Sequence, residues 1–158
     1  MERMIATAFL TFFINIGVPA MSEPLTDIRP FAVTLSVPEI AATAAWYETV
    51  LGFTPVQTKA YPEFQTELMI LERDGFRIEL IRDGNAQPGP FRPDAPGHTG
   101  IHGMSQFSFE TDDLAALKDQ LVEHGVATHF EFENEELGVR FLFVRDPNGN
   151  LVQFLQRL

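Results

Sequence analysis

The chain carries one pattern twice. Gly52 and Gly125 lie 73 residues apart, Gly75 and Gly149 lie 74 apart, and Glu79 and Gln153 lie 74 apart. The same order of strand and helix periodicities runs through both halves. This predicts an α+β fold of two tandem β-α-β-β-β modules. A single module leaves a curved sheet with one open face, and two modules can pair to close a cleft, within one chain or between chains.

In the first copy Ala32 to Val37 alternates, with Val33, Leu35 and Val37 opposite Ala32, Thr34 and Ser36. That is a half-buried strand. Pro38 suits a helix entry. Ile40, Ala44, Tyr47 and Leu51 then recur at helical spacing, and Gly52 stands at the C-cap. Phe53 to Thr58 starts the next strand, and Thr66–Glu72 and Phe76–Ile81 flank an Asp74-Gly75 hairpin turn. Residues 84–100 carry four prolines and four glycines and read as a linker or a loop over a site.

The second copy opens with alternation from Met104 to Phe109, with Met104, Gln106 and Ser108 on one face. Thr111 is placed to cap a helix whose first turn holds Asp112 and Asp113. Leu114, Leu117 and Leu121 form its apolar stripe, and Gly125 ends it. Val126–Phe132 reads as a strand and Glu133–Gly138 as an acidic turn. The chain closes on a hairpin, Val139–Val144 and Leu151–Leu155, around Asp146-Pro147-Asn148-Gly149. In that turn Asp146 can accept from the backbone two residues on, Pro147 presets φ, and Asn148 and Gly149 tolerate the tight positions.

A chain of 158 residues, 45% of them apolar, suffices for one compact unit or two small modules. Its net charge of −11 opposes nucleic acid and anionic membranes as partners. It mildly favours cationic small molecules over polyanionic ones. With no cysteine there is no disulfide, thiolate nucleophile or cysteine-bound zinc. Residues 1–20 differ from the rest. Arg3, the apolar run Ile5–Ile16 and Val18-Pro19-Ala20 read as a secretory signal peptide. Glu2 and Asn15 speak against this, and Met21-Ser22-Glu23-Pro24 looks like an ordinary start, which would make the segment a mis-assigned extension. The first reading implies a secreted or periplasmic protein with no lasting membrane association. The second implies a cytoplasmic one.

The runs Val33–Val37 and Trp46-Tyr47-Glu48-Thr49-Val50-Leu51-Gly52-Phe53, with Asp146–Phe154, resemble the vicinal-oxygen-chelate superfamily of glyoxalase I, bleomycin-resistance proteins and extradiol dioxygenases. The resemblance covers residues 29–158, as module one (29–83), linker (84–100) and module two (101–158). It implies a glyoxalase-like fold, a small-molecule ligand and a homodimer. Enzymes of this family take divalent-metal ligands from the first and last strands of each module. Those places fall on Ala32, Glu79, Met104 and Gln153, a depleted set in which Glu79 alone is a strong ligand. Iron-dependent dioxygenase chemistry is therefore not expected. A shifted strand would let His102 replace Met104, giving a poor three-ligand site of Glu79, His102 and Gln153 for nickel, zinc, manganese or iron.

Several residues carry a structural reading beside the functional one. Glu79 points away from Ile78 and Leu80, either as a general base or as the ion-pair partner of Arg77 or Arg140. Gln153, Thr34, Gln106, Met104 and His102 share the ligand-facing parity, or are ordinary polar and core groups. Arg140 either clamps a ligand's acidic group or pairs with Glu135 or Glu136. Trp46, Tyr47 and most phenylalanines are expected in the core, and His98 and His129 have no partner at metal-ligand spacing. The reading that follows is a metal-free small-molecule binding protein with a degenerate metal site. A metal-dependent lyase or isomerase similar to glyoxalase I and a metal-free enzyme using Glu79 as base are the alternatives.

Overall fold

The structure, a computed structural model, describes residues 26–158, so both readings of residues 1–20 lie outside it. Module one comprises β1 (Val33–Ser36), α1 (Ile40–Leu51), β2 (Thr54–Tyr61), β3 (Thr66–Arg73) and β4 (Phe76–Asp83). Module two comprises β5 (Phe107–Glu110), α2 (Leu114–Glu123), β6 (Thr128–Asn134), β7 (Val139–Arg145) and β8 (Leu151–Arg157). The sheets have equivalent orders, β1-β4-β3-β2 and β5-β8-β7-β6. In each, the first strand runs parallel to the last, and the other pairs are antiparallel. The duplicated α+β architecture is therefore as the sequence repeat implies.

Local chemistry explains the boundaries. The β3–β4 turn needs two positive φ angles, met by Asp74 at 50° and Gly75 at 80°, which matches the twist of the flanking strands. Helix α1 ends on Gly52 in the left-handed region, its N–H returning to the Glu48 carbonyl. Helix α2 starts later than expected. Its cap is Asp113, whose side chain accepts from the Ala116 N–H at 2.9 Å, while Thr111 accepts from the Asp113 N–H. A carboxylate satisfies that orphan donor and also faces the positive end of the helix dipole.

Strand β5 is shorter than the Met104–Phe109 alternation suggests. Its parallel register with β8 pairs Phe107 with Val152. The partners for residues before Gln106 would fall in the Asp146–Asn150 turn, which has no strand backbone to offer. Strand β6 likewise runs on to Asn134, so the acidic turn is shorter than expected.

Each helix packs on one face of its sheet, and these helix-side faces merge in a single core. Leu35, Leu71, Ile78 and Leu80 join Tyr47 and Leu51 from module one, and Phe107, Leu142, Val144, Val152 and Phe154 join Leu114 and Leu121 from module two. Full burial of such side chains contributes about 1.5–3 kcal/mol each. Edge-to-face contacts Phe53–Phe109 at 6.0 Å and Phe76–Phe109 at 5.6 Å cross between modules. Among the described residues no helix is long and apolar enough to span a membrane.

One buried polar contact also joins the modules. The Tyr47 hydroxyl on α1 donates to Asp146 Oδ2 at 3.0 Å. Asp146 additionally accepts from the Asn148 and Asn150 N–H groups and from Asn150 Nδ2. Beside it Asn148 Nδ2 donates to Thr43 Oγ1 at 2.9 Å. Burial, then the Asp146 charge and hydrogen bond, push the Tyr47 phenol far above its ordinary range. A raised folded-state value stabilises the protein fully below the unfolded tyrosine pKa of about 10, and that contribution is lost as pH rises beyond it. Tyr47→Phe is expected to cost about 1–3 kcal/mol at neutral pH. Thermal unfolding between neutral pH and about 11 should show the difference from wild type shrinking as the pH climbs.

Candidate functional site

The face of each sheet opposite its helix lies outside the shared core. On module one it carries Thr34 and Glu79, paired side by side, with Thr34 Oγ1 donating to Glu79 Oε2 at 2.8 Å. Ile78 and Leu80, flanking Glu79, are fully buried on the other side, so the alternation does turn this carboxylate outward. On module two Ser108 Oγ donates to Gln153 Oε1 at 2.6 Å, again side by side. The two pairs are the same construction 74 residues apart, each spanning 45 residues of chain. Glu79 is not the partner of Arg77, which binds Glu72 at 2.5 Å.

The pairing fixes the equivalences. Because Thr34 matches Ser108, the counterpart of Ala32 is Gln106 and not Met104. Met104 and His102 sit in the segment before β5, both exposed, and strand alternation does not apply to them. Gln106, adjoining the strand, is half-buried and takes a hydrogen bond from Ser105 Oγ. Arg140 lies on the face of its sheet opposite Gln153. On β7 it alternates with Phe141 and Phe143, whose cross-strand partners are Leu155 and Gln153. Its guanidinium is held by Glu133 at 2.6–2.9 Å, a neighbour across the β6–β7 pair, and not by Glu135 or Glu136.

Part of the segment read as a linker or a loop over a site folds back onto the second module. Residues 91–101 lie against module two on its helix-free face, held by Arg145. That guanidinium donates to Asp94 Oδ1 at 2.8 Å, to the Arg92 carbonyl at 2.8 Å and to the Gly149 carbonyl, and stands 4.8 Å from the Phe91 ring centre. Arg92 in turn grips the carbonyls of His98 and Ile101. His98 is thereby pressed onto Phe143, with ring centres 5.1 Å apart. The 74-residue offset applied to Thr34 would have found Ser108. Nothing in the local sequence marks His98, whose placement depends on two arginines distant in the chain.

The donor chemistry at the four ligand positions does not suit a divalent cation. Ala32 has no donor atom, Gln106 and Gln153 are neutral amides, and Glu79 is the sole anion. Among the described residues no three His, Asp or Glu side chains converge. A hard or borderline ion would need more charge or imidazole than this set supplies.

Residues 29–154 match the sequence pattern of the glyoxalase/bleomycin resistance protein/dioxygenase superfamily. The chain belongs to that superfamily. This superfamily member is 28% identical over 132 residues to an ethylmalonyl-CoA/methylmalonyl-CoA epimerase of Cereibacter sphaeroides, a match covering 78% of this chain and 94% of the relative. A glyoxalase family protein from Enterococcus faecalis shares its fold with a TM-score of 0.65 at 21% identity, covering 83% of this chain and 98% of the other. The genomically encoded fosfomycin resistance protein of Listeria monocytogenes does so with a TM-score of 0.64 at 13% identity, covering 82% and 94%.

The loop anchor is open to test. Arg145→Ala removes at least three hydrogen bonds from a side chain only 13% exposed. It is expected to raise amide hydrogen exchange across residues 91–101 by about tenfold or more while α1 stays protected.

Proposed function

We propose that this superfamily member binds a small organic molecule on the helix-free faces of its sheets through side chains alone, at a degenerate metal site. The donor set supports this most directly, since only Glu79 is charged and Thr34 already occupies one of its oxygens. Glu79, Thr34, Gln106 and Gln153 are the contacts proposed for that molecule. His102 and Met104 would reach it only from the segment between the modules. A metal-dependent lyase or isomerase is the weaker alternative, because its ion would rest on Glu79 with help from His102 and Gln153.

Metal analysis by mass spectrometry on protein purified without a tag or chelator is the first test. Substoichiometric metal, and no thermal shift with added nickel, zinc, manganese or iron(II), is expected. Near-stoichiometric metal, or a shift abolished in Glu79→Ala, would overturn the reading.

The likeness to an epimerase favours one other reading, in which Glu79 removes a proton from an activated C–H bond. Epimerisation needs a proton taken from one side of a carbon and returned to the other. The counterpart of Glu79 is Gln153, an amide that cannot exchange one, so Glu79 would have to serve both directions. Incubation of methylmalonyl-CoA in deuterated water separates the readings. Exchange of the α-hydrogen that disappears in Glu79→Gln would establish the base, and no exchange is expected of a binding protein.

We also propose that the chain pairs with a second copy, which would enclose the helix-free faces as a cleft. Light scattering should then report twice the 17.8 kDa chain mass, and a monomer at micromolar concentration would refute it.

A further inference from the structure

His98 carries an unusual group. The residue is 6% exposed, and among the described residues its buried Nδ1 has no hydrogen-bond partner. The position is constructed: Arg145 holds the Arg92 carbonyl, Arg92 holds the His98 carbonyl, and the ring is seated on Phe143.

The enclosure selects a tautomer. An N–H at Nδ1 would be stripped of water with no acceptor in reach, and orphaned buried N–H groups are the rarest kind. The arrangement that avoids this has a bare Nδ1 and the proton on Nε2. That second nitrogen is not sealed in the same way. The Nε2 edge of His98 is then a hydrogen-bond donor.

A second donor lies on the same face. Phe143, under the His98 ring, is the cross-strand partner of Gln153 on the same face. Since Gln153 Oε1 already accepts from Ser108, its amide N–H groups remain to be used. Next to both is an aromatic surface. Phe130 lies 6.2 Å from Phe143 and 6.3 Å from Phe132, and Phe132 is 49% exposed.

We infer that His98 and Gln153 form a two-donor seat for an acceptor oxygen, and that the molecule bound there is a flat apolar compound bearing a carbonyl group, its body lying on the Phe130–Phe132 surface. The −11 net charge favours a neutral carbonyl over a carboxylate. This inference rests on the proposal that the helix-free faces bind a small molecule, and it names the class.

The test is by NMR on the whole chain. In the ligand-free protein the imidazole nitrogen shifts of His98 should report the Nε2–H tautomer at neutral pH. The Nδ1–H tautomer or a charged ring would overturn the inference. Acetophenone, an acceptor on a flat apolar body, should then move the His98 Nε2 and Gln153 side-chain amide resonances together, whereas toluene and benzylamine should not. His98→Phe keeps the aromatic contact and removes the donor, so affinity for acetophenone should fall about tenfold with an unchanged melting temperature. Gln153→Glu replaces the donor with an anion and should shift the preference toward benzylamine. Acetophenone failing to bind at millimolar concentration, binding elsewhere, or binding His98→Phe equally well would sink the inference. Such a failure in protein that remains metal-free would leave the broader binding function standing. Stoichiometric metal would remove that function without touching the tautomer.

Discussion

The contact between Tyr47 and Asp146 holds the two halves in one register. It joins a helix in the first module to the closing turn of the second, at 4% exposure for the acid. A buried carboxylate without a cation is costly, and here its oxygens are met by neutral donors, two of them backbone amides of its own turn. The turn cannot form this cage without Gly149 at φ 81°, a backbone angle that L side chains avoid. Placement of β8, and with it Gln153, follows from where that turn ends.

From there the arrangement of the site is dictated by strand alternation. A four-residue strand alongside the last strand of each module brings one hydroxyl beside one acid or amide, and the hydrophobic partners of both point into the common core. The polar pairs are thereby separated from the core by faces of the same strands. Changes at Thr34 or Ser108 alter the helix-free side, and changes at Leu35 or Phe107 alter the core.

Much of this was legible in the chain. The 74-residue repeat marks the modules, Asp74-Gly75 marks the β3–β4 turn, and Ile78-Glu79-Leu80 shows by alternation that Glu79 points outward. The failures have physical causes. The sequence matches Met104 to Ala32 because alternation of residue types continues past the point where β8 has backbone to pair with. Arg140, read either as a ligand clamp or as the partner of Glu135 or Glu136, pairs with Glu133, because that residue lies directly across the β6–β7 ladder. The cap of α2 fell on Asp113, because Thr111, two residues earlier, serves the turn before the helix. His98 was invisible because long-range arginine contacts, and no local pattern, decide where a loop residue comes to rest.

The Thr34–Glu79 and Ser108–Gln153 pairs have a consequence for the symmetry of the molecule. A carboxylate and a primary amide fill nearly the same envelope, so the halves remain alike in shape. They differ in what they attract: one face offers lone pairs and a negative charge, the other offers protons. Duplication alone would have produced a molecule blind to which way round a ligand lies. Exchange of one oxygen for one nitrogen is enough to give it polarity, and under the proposed binding function a guest with unlike ends has a preferred direction.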